Sequence, residues 1–135
     1  MSNEYDPTEV FVVVGGTIIT GFAEDSMVSA ERMEDKVELH TGAQGEQTFV
    51  KNANDAGEMT ITLKHNSPSI PILKGYYKAG NKFPVNVVDA NFEGEVHAGG
   101  SEAMISNPGA FERGGGVSDK EFTLLIADYD EVFDI

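Results

Sequence analysis

Cysteine is missing from all 135 residues. Its absence removes disulfides, thiol nucleophiles and cysteine-based metal sites together, and it fits a protein made in a cytoplasm. Cations are scarce: 9 Lys and Arg stand against 23 Asp and Glu, for a net charge of −14. Nucleic-acid binders use Lys and Arg to release phosphate counterions, so this balance argues against DNA or RNA recognition as a primary role. Long apolar runs are lacking too. The longest, Val10–Val14, is far below the ~20 residues that a membrane helix needs. No positively charged start leads into an apolar stretch, so neither a secretion signal nor a membrane partner is expected. The chain shows no internal repeat, heptad pattern or linker. Its 40% hydrophobic fraction suffices for a packed core, so residues 1–135 read as a single domain.

What is present is mostly β-pattern. Val10–Val14 is β-branched and aromatic and runs into Gly15-Gly16; with Thr17–Phe22 it predicts a hairpin. Ala23–Met33 reads as a polar loop or a single helical turn. Lys36–His40 alternates, which places Val37 and Leu39 toward a core and Glu38 away from it. Residues 40–57, rich in Gly and Asn around the strand-like Glu46–Lys51, read as a long arm or an exposed hairpin tip. Gly57–Lys64 alternates most clearly, with Met59, Ile61 and Leu63 on one face and Glu58, Thr60, Thr62 and Lys64 on the other.

One helix is expected, over Ser67–Ala79. Ser67 or Ser69 serves as its cap, Pro68 and Pro71 fall in its first turn, Ile70, Leu73 and Tyr77 share its apolar face, and Gly80 ends it. Phe83–Val88 is a strand with Pro84 at its start or at an edge. Asp89–Val96 reads as a turn and short strand, Gly99–Gly116 as a Gly-rich stretch with Pro108 and a flexible turn at Gly114–Gly116, and Lys120–Asp128 as a last strand with Phe122, Leu124 and Ile126 inward. Asp128–Asp134 reads as a solvated tail or an interface edge. The fold class is mainly β: an antiparallel β-sandwich or barrel with one flanking α-helix.

No catalytic, cofactor or metal constellation emerges, so an enzyme is not expected. His40, His65 and His97 lie on different segments without helical metal spacing. Glu93 and Glu95 share one wet strand face, Gly100-Ser101-Glu102 is not a nucleophile elbow, and Gly114–Gly116 lacks the Lys-Ser/Thr of a phosphate loop. Charge is unevenly spread. From Met59 to Val88 no acid occurs, while Lys64, Lys74, Lys78 and Lys82 do. Such a stretch is either a solvated face or a basic patch for acidic surface on a partner or on another copy.

Several stretches, in order and spacing, resemble the tail tube proteins of contractile-tailed bacteriophages. They are Tyr5-Asp6-Pro7 followed by Val10–Thr20, then Gly21–Ser26, His40–Glu46, Lys51–Thr62 and Phe83–Asp89. None is a catalytic signature; together they cover most of the chain.

The resemblance implies a β subunit that closes hexameric rings stacked into the DNA-conducting inner tube of a contractile tail, used in genome ejection. Its implied partners are other copies of itself, a tail sheath protein, and baseplate and tail-terminator proteins, with DNA as a non-adhering cargo and no cofactor. Its implied place is the virion tail, after synthesis in a host bacterial cytoplasm. A type VI secretion or pyocin-like tube subunit shares this architecture; a monomeric β-barrel holding a small ligand is the reading from another class. Under the tube reading Glu38, Glu58, Thr60 and Thr62 face the lumen. Gly42, Gln44, Gly45, Phe49, Asn52 and Asn54 belong to a ring-stacking arm, with Ser2–Thr8 and Asp130–Ile135 as further stacking segments. Lys74 and Lys78 lie on an outer helix facing the sheath.

Overall fold

The computed structural model describes residues 4–24, 27–116 and 118–135. Ser2 and Asn3 of the N-terminal segment, and Asp25 and Ser26 of the Gly21–Ser26 stretch, lie outside the described residues. The β-branched run forms strand β1 (Val10–Val14), which folds back on β2 (Thr17–Ile19). Gly15 and Gly16 make that reversal possible with φ of 57° and 85°, the mirror-image turn that suits strand twist. Next come β3 (Val28–Arg32), β4 (Val37–Thr41), β5 (Gln47–Lys51), β6 (Gly57–Leu63), helix α1 (Ile70–Ala79), β7 (Phe83–Asp89), β8 (Glu95–Asn107), β9 (Lys120–Ile126) and β10 (Asp130–Asp134).

Eight strands form one sheet in the order β2-β1-β7-β8-β9-β6-β3, with β10 also pairing β8; β4 and β5 form a separate two-stranded ribbon. All these pairings are antiparallel. The sheet curls until its ends approach, and Phe22, just beyond β2, bridges Leu63 of β6. The interior is filled by alternate residues: Met59, Ile61 and Leu63 from β6, Phe122, Leu124 and Ile126 from β9, and Val12 and Val14 from β1, all fully buried. Each contributes roughly 1.5–3 kcal/mol by leaving water. Leu73 of α1 completes the cluster.

Helix α1 ends as its sequence predicts, with Gly80 left-handed at φ 67°. Its start is built differently. Ser69 occupies the cap position, but its side chain does not bond the helix. Instead the Ser69 hydroxyl accepts from the Thr20 N–H at 2.9 Å, and the Ser67 hydroxyl donates to the Thr20 carbonyl at 2.6 Å. The two serines pin the helix entry to the end of β2. The apolar face is also one residue off. Tyr76, not Tyr77, turns inward and meets Phe83 at 4.7 Å between ring centroids, while Tyr77 is exposed.

Three further segments differ from the sequence reading. Ala23–Met33 contains β3, which pairs β6; Val28 and Ala30 pack against the core while Ser29 and Glu31 point out. Gly99–Asn107, which the sequence marked only as Gly-rich, is the larger part of the 13-residue strand β8. A Cβ on Gly99 would sit 2.1 Å from the Val85 carbonyl oxygen, and one on Gly100 would sit 2.5 Å from Ile126. The glycines are there because neighbouring strands approach too closely for a side chain. Asp130–Asp134 is β10, paired with Glu95–Gly99 of β8 rather than solvated. Pro84 is tolerated in the interior strand β7 because the pairing with β8 shifts register between Phe83 and Val85.

Candidate assembly surfaces

The outward residues of β3, β6, β9 and the last part of β8 make one continuous face. Register sets Glu31 beside Glu58 and Ser29 beside Thr60. Across the next pair, Glu58 meets Leu125, Thr60 meets Thr123, and Thr62 meets Glu121. Met104 follows beside Leu125, and the Ser106 hydroxyl donates to the Thr123 carbonyl at 3.2 Å. No outward position of these four segments carries Lys or Arg. The face is thus hydroxyl-rich and acidic. Of the lumen residues proposed from sequence, Glu58, Thr60 and Thr62 share it.

Glu38 does not share that face. Lys36–His40 alternates as expected, but β4 pairs only with β5. Val37 and Leu39, expected to be inward, are 45% and 55% exposed. The strand period was legible, and the absence of a core beneath it was not.

The β4–β5 ribbon is the arm, and its first strand begins at Val37, ahead of the 40–57 boundary read from sequence. Leu39 lies opposite Phe49, and Phe49 is 72% exposed. Gly42 and Gly45 shape the tip: the Gly42 N–H bonds the Glu46 carbonyl at 2.7 Å, and Gly45 has φ 90°. The Gln44 N–H donates to the Glu46 carboxylate at 3.2 Å.

The base of the arm is tied more firmly. Asp55 receives Lys36 at 2.9 Å and Arg32 at 3.4 Å. These cations, Lys36 foremost, hold its carboxyl below the usual range. The Asn52 amide donates to Glu34 at 2.6 Å, lowering that carboxyl too. The side chains of Asn52 and Asn54 accept from the N–H groups of Asn54 and Ala56. Both asparagines shape the base, whereas Phe49 and Gln44 lie toward the free end. An isolated two-stranded ribbon is marginal in water, and this one leaves its Leu39–Phe49 pair exposed.

This four-segment face has an open margin on each side among the described residues. The outer side of β3 ends the sheet. At the other margin, β7 pairs β8 only as far as Ala103, leaving Met104–Asn107 paired on the β9 side alone. Unpaired strand margins recruit other strands.

On α1, Lys78 is exposed, but Lys74 is half-buried. With His65, Ile70, Phe111, Arg113 and Lys120 it lines a cleft of about 250 Å³. Sequence reasoning missed this cleft because Phe111, Arg113 and Lys120 come from a segment that carries no acid-free run.

The three histidines remain apart: His40 pairs Glu38 at 3.5 Å and His97 pairs Glu95 at 3.9 Å, and no metal-holding cluster occurs among the described residues. The most perturbed carboxyl is Asp128, held down to about 2 chiefly by the Ser101 hydroxyl and then by the N–H groups of Glu102 and Ser101. It fastens the Gly99–Glu102 bend of β8, and no second perturbed carboxyl accompanies it to form an acid–base pair.

No family model matches the chain. Its sequence is 35% identical over 78 residues to structural protein ORF10 of Pseudomonas phage KPP10, covering 53% of this chain. The match spans 45% of that protein's own length. By structure, it is similar to a chain of the sheath/tube terminator of an extracellular contractile injection system, PVC, in the extended state. The TM-score is 0.68 at 16% identity, covering 98% of this chain and 100% of the other. A chain of the anti-feeding prophage tube-terminating cap gives 0.67 at 12% identity, covering 99% and 94%. A chain of the PVC sheath-tube complex gives 0.67 at 13%, covering 96% and 92%. The fold is therefore that of proteins in contractile tube and terminator assemblies.

Proposed function

We propose that this chain is a structural tail tube subunit, closing hexameric rings that stack into the DNA-conducting inner tube of a contractile tail. The observation that carries the reading is the four-segment face bounded by two open margins. Its strands alternate in direction from β3 to β8. The β3 of one copy can therefore add antiparallel to Met104–Asn107 of the next, and the alternation continues around a ring. Closure turns the Glu58, Thr60 and Thr62 face into a channel wall without cations. Such a wall repels phosphate and gives passing DNA nothing to hold. The partners on this reading are copies of itself, a sheath protein and the proteins that begin and end the tube, and its place is the virion.

A second reading is a terminator that caps a tube with one ring. The likeness to terminator chains, at TM-scores of 0.68 and 0.67, favours it. The exposed arm favours the tube, because a repeating stack needs a contact that every ring both gives and receives. A type VI or pyocin-like tube has the same physics and differs in cargo. Negative-stain electron microscopy of concentrated protein separates these readings. Long hollow tubes support the tube subunit, isolated rings support the terminator, and particles that stay monomeric at every concentration defeat both.

A further inference from the structure

The arm leaves the sheet at one end. Arg32 of β3 and Gly57 of β6 flank it, and Gly57 pairs Ile126 of β9. At the other end of the same strands Leu63 pairs Lys120. A seven-residue strand places these ends about 20 Å apart. The cleft lined by His65, Ile70, Lys74, Phe111, Arg113 and Lys120 sits at this far end. The molecule thus carries a protrusion at one end and a hollow at the other.

The hollow is cationic in a chain whose net charge is −14. None of Lys74, Arg113 and Lys120 is in an ion pair among the described residues; the Lys and Arg pairs there belong to Arg32, Lys36 and Lys82. Burial, then Lys74 and Arg113, push the Lys120 ammonium below its usual range, with no carboxylate opposing them. Lys120 is fixed by donating to the carbonyls of Gly109 and Ala110, both at 3.2 Å. Arg113 lies over the Phe111 ring at 4.4 Å, and Phe111 is 79% exposed. The site is built to take negative charge together with apolar surface. The free part of the arm offers both, one on each face of the ribbon: Glu38 and Glu46 on one side, Leu39 and Phe49 on the other.

We infer that the cleft of His65, Lys74, Arg113 and Lys120 is the socket for the β4–β5 arm of a second copy, the ribbon entering it with Glu38 and Glu46 on one face toward its cations and the Leu39–Phe49 pair on the other toward Ile70 and Phe111. This deepens the stacked-ring reading and rests on it. The contact is heterologous: each copy gives an arm at one end and a socket at the other, so it propagates without closing. It also gives the acid-free stretch a role that neither nucleic acid nor solvation supplies.

Two measurements test it. In the first, Lys74→Glu with Arg113→Glu should lose tubes while circular dichroism stays native. Adding Glu38→Lys and Glu46→Lys to that variant should restore them. Tubes unaffected by the socket reversal, or not restored by the arm reversal, overturn the assignment. In the second, wild-type chains, half of them isotope-labelled, are treated with a zero-length carbodiimide and digested. Mixed-label links from Glu38 or Glu46 to Lys74 or Lys120 are expected. Links from these lysines to β10 acids instead would replace the arm as occupant and overturn the proposal. Tubes without arm–socket links defeat the socket and leave the tube reading standing. Arm–socket links without tubes uphold the socket and defeat continuous stacking; absence of both defeats both.

Discussion

Asp128 shows how a single side chain can carry a bend. Its carboxylate accepts from the Ser101 hydroxyl at 2.5 Å and from the N–H groups of Ser101 and Glu102, each at 3.0 Å. Its folded pKa is about 2, below the ordinary 3.8. A depressed carboxyl contributes stability above its unfolded pKa and loses it as pH falls through the folded value. Stability should therefore decline between about pH 4 and pH 2. Because the group is exposed, Asp128→Asn should cost only about 1 kcal/mol at neutral pH. Thermal melts from pH 6 to pH 2 check this: the variant should lose part of the acid dependence, and parallel curves would remove Asp128 from the role. Gly99 is more demanding, since any Cβ meets the Val85 backbone. Gly99→Ala should destabilise by about 2–3 kcal/mol, read from urea unfolding; a change under about 0.5 kcal/mol would mean that the strands can separate there. These two residues also explain why β8 was illegible. Glycines in sequence signal freedom, and only the approach of β7 and β9 shows that here they signal crowding.

Among elements, legibility followed the presence of a single buried face. β6 and β9 carry strict alternation, and Met59, Ile61, Leu63, Phe122, Leu124 and Ile126 all proved buried. The β1–β2 hairpin was legible from Gly15-Gly16, and α1 from its prolines and Gly80. β3 and β10 were not, because their residues are polar and their pairing is decided by β6 and β8. For the arm, the softness, the approximate place and the two strand-like segments were legible, but the exposed apolar side was not. The tether is separable from the free end: the Asn52 N–H bonds the Lys36 carbonyl at 2.7 Å and the Met33 N–H bonds Ala56 at 3.0 Å. Replacing residues 37–51 with an Asn-Gly turn should therefore keep β3 and β6 in place. The expected result is an unchanged circular dichroism spectrum, a melting temperature within a few degrees, and no long tubes by electron microscopy. Tubes of normal length would show that the ribbon is dispensable for stacking.

At the scale of the whole molecule, the charge of −14 means little until it is placed. The outward face of β3, β6, β9 and β8 carries acids, hydroxyls and the apolar Leu125 and Met104 but no Lys or Arg, while Lys74, Arg113 and Lys120 gather at one end of the same strands. Excess acid alone would give solubility; on the proposed reading this partition gives one surface that repels polyanions and another that attracts carboxylates. The distinction is measurable because salt screens exposed charges beyond about 8–10 Å. Changing Glu58 and Glu121 to Lys leaves both open margins and the arm untouched, so tubes should still assemble. Their wall would then carry a cationic row, and short duplex DNA incubated with them should be retained on sedimentation at low salt and released as salt rises. Wild-type tubes should retain none under either condition. If the substituted tubes stay as indifferent to DNA as the wild type, the Glu58 face does not line the channel. The alternating strands would then have to close around some other surface.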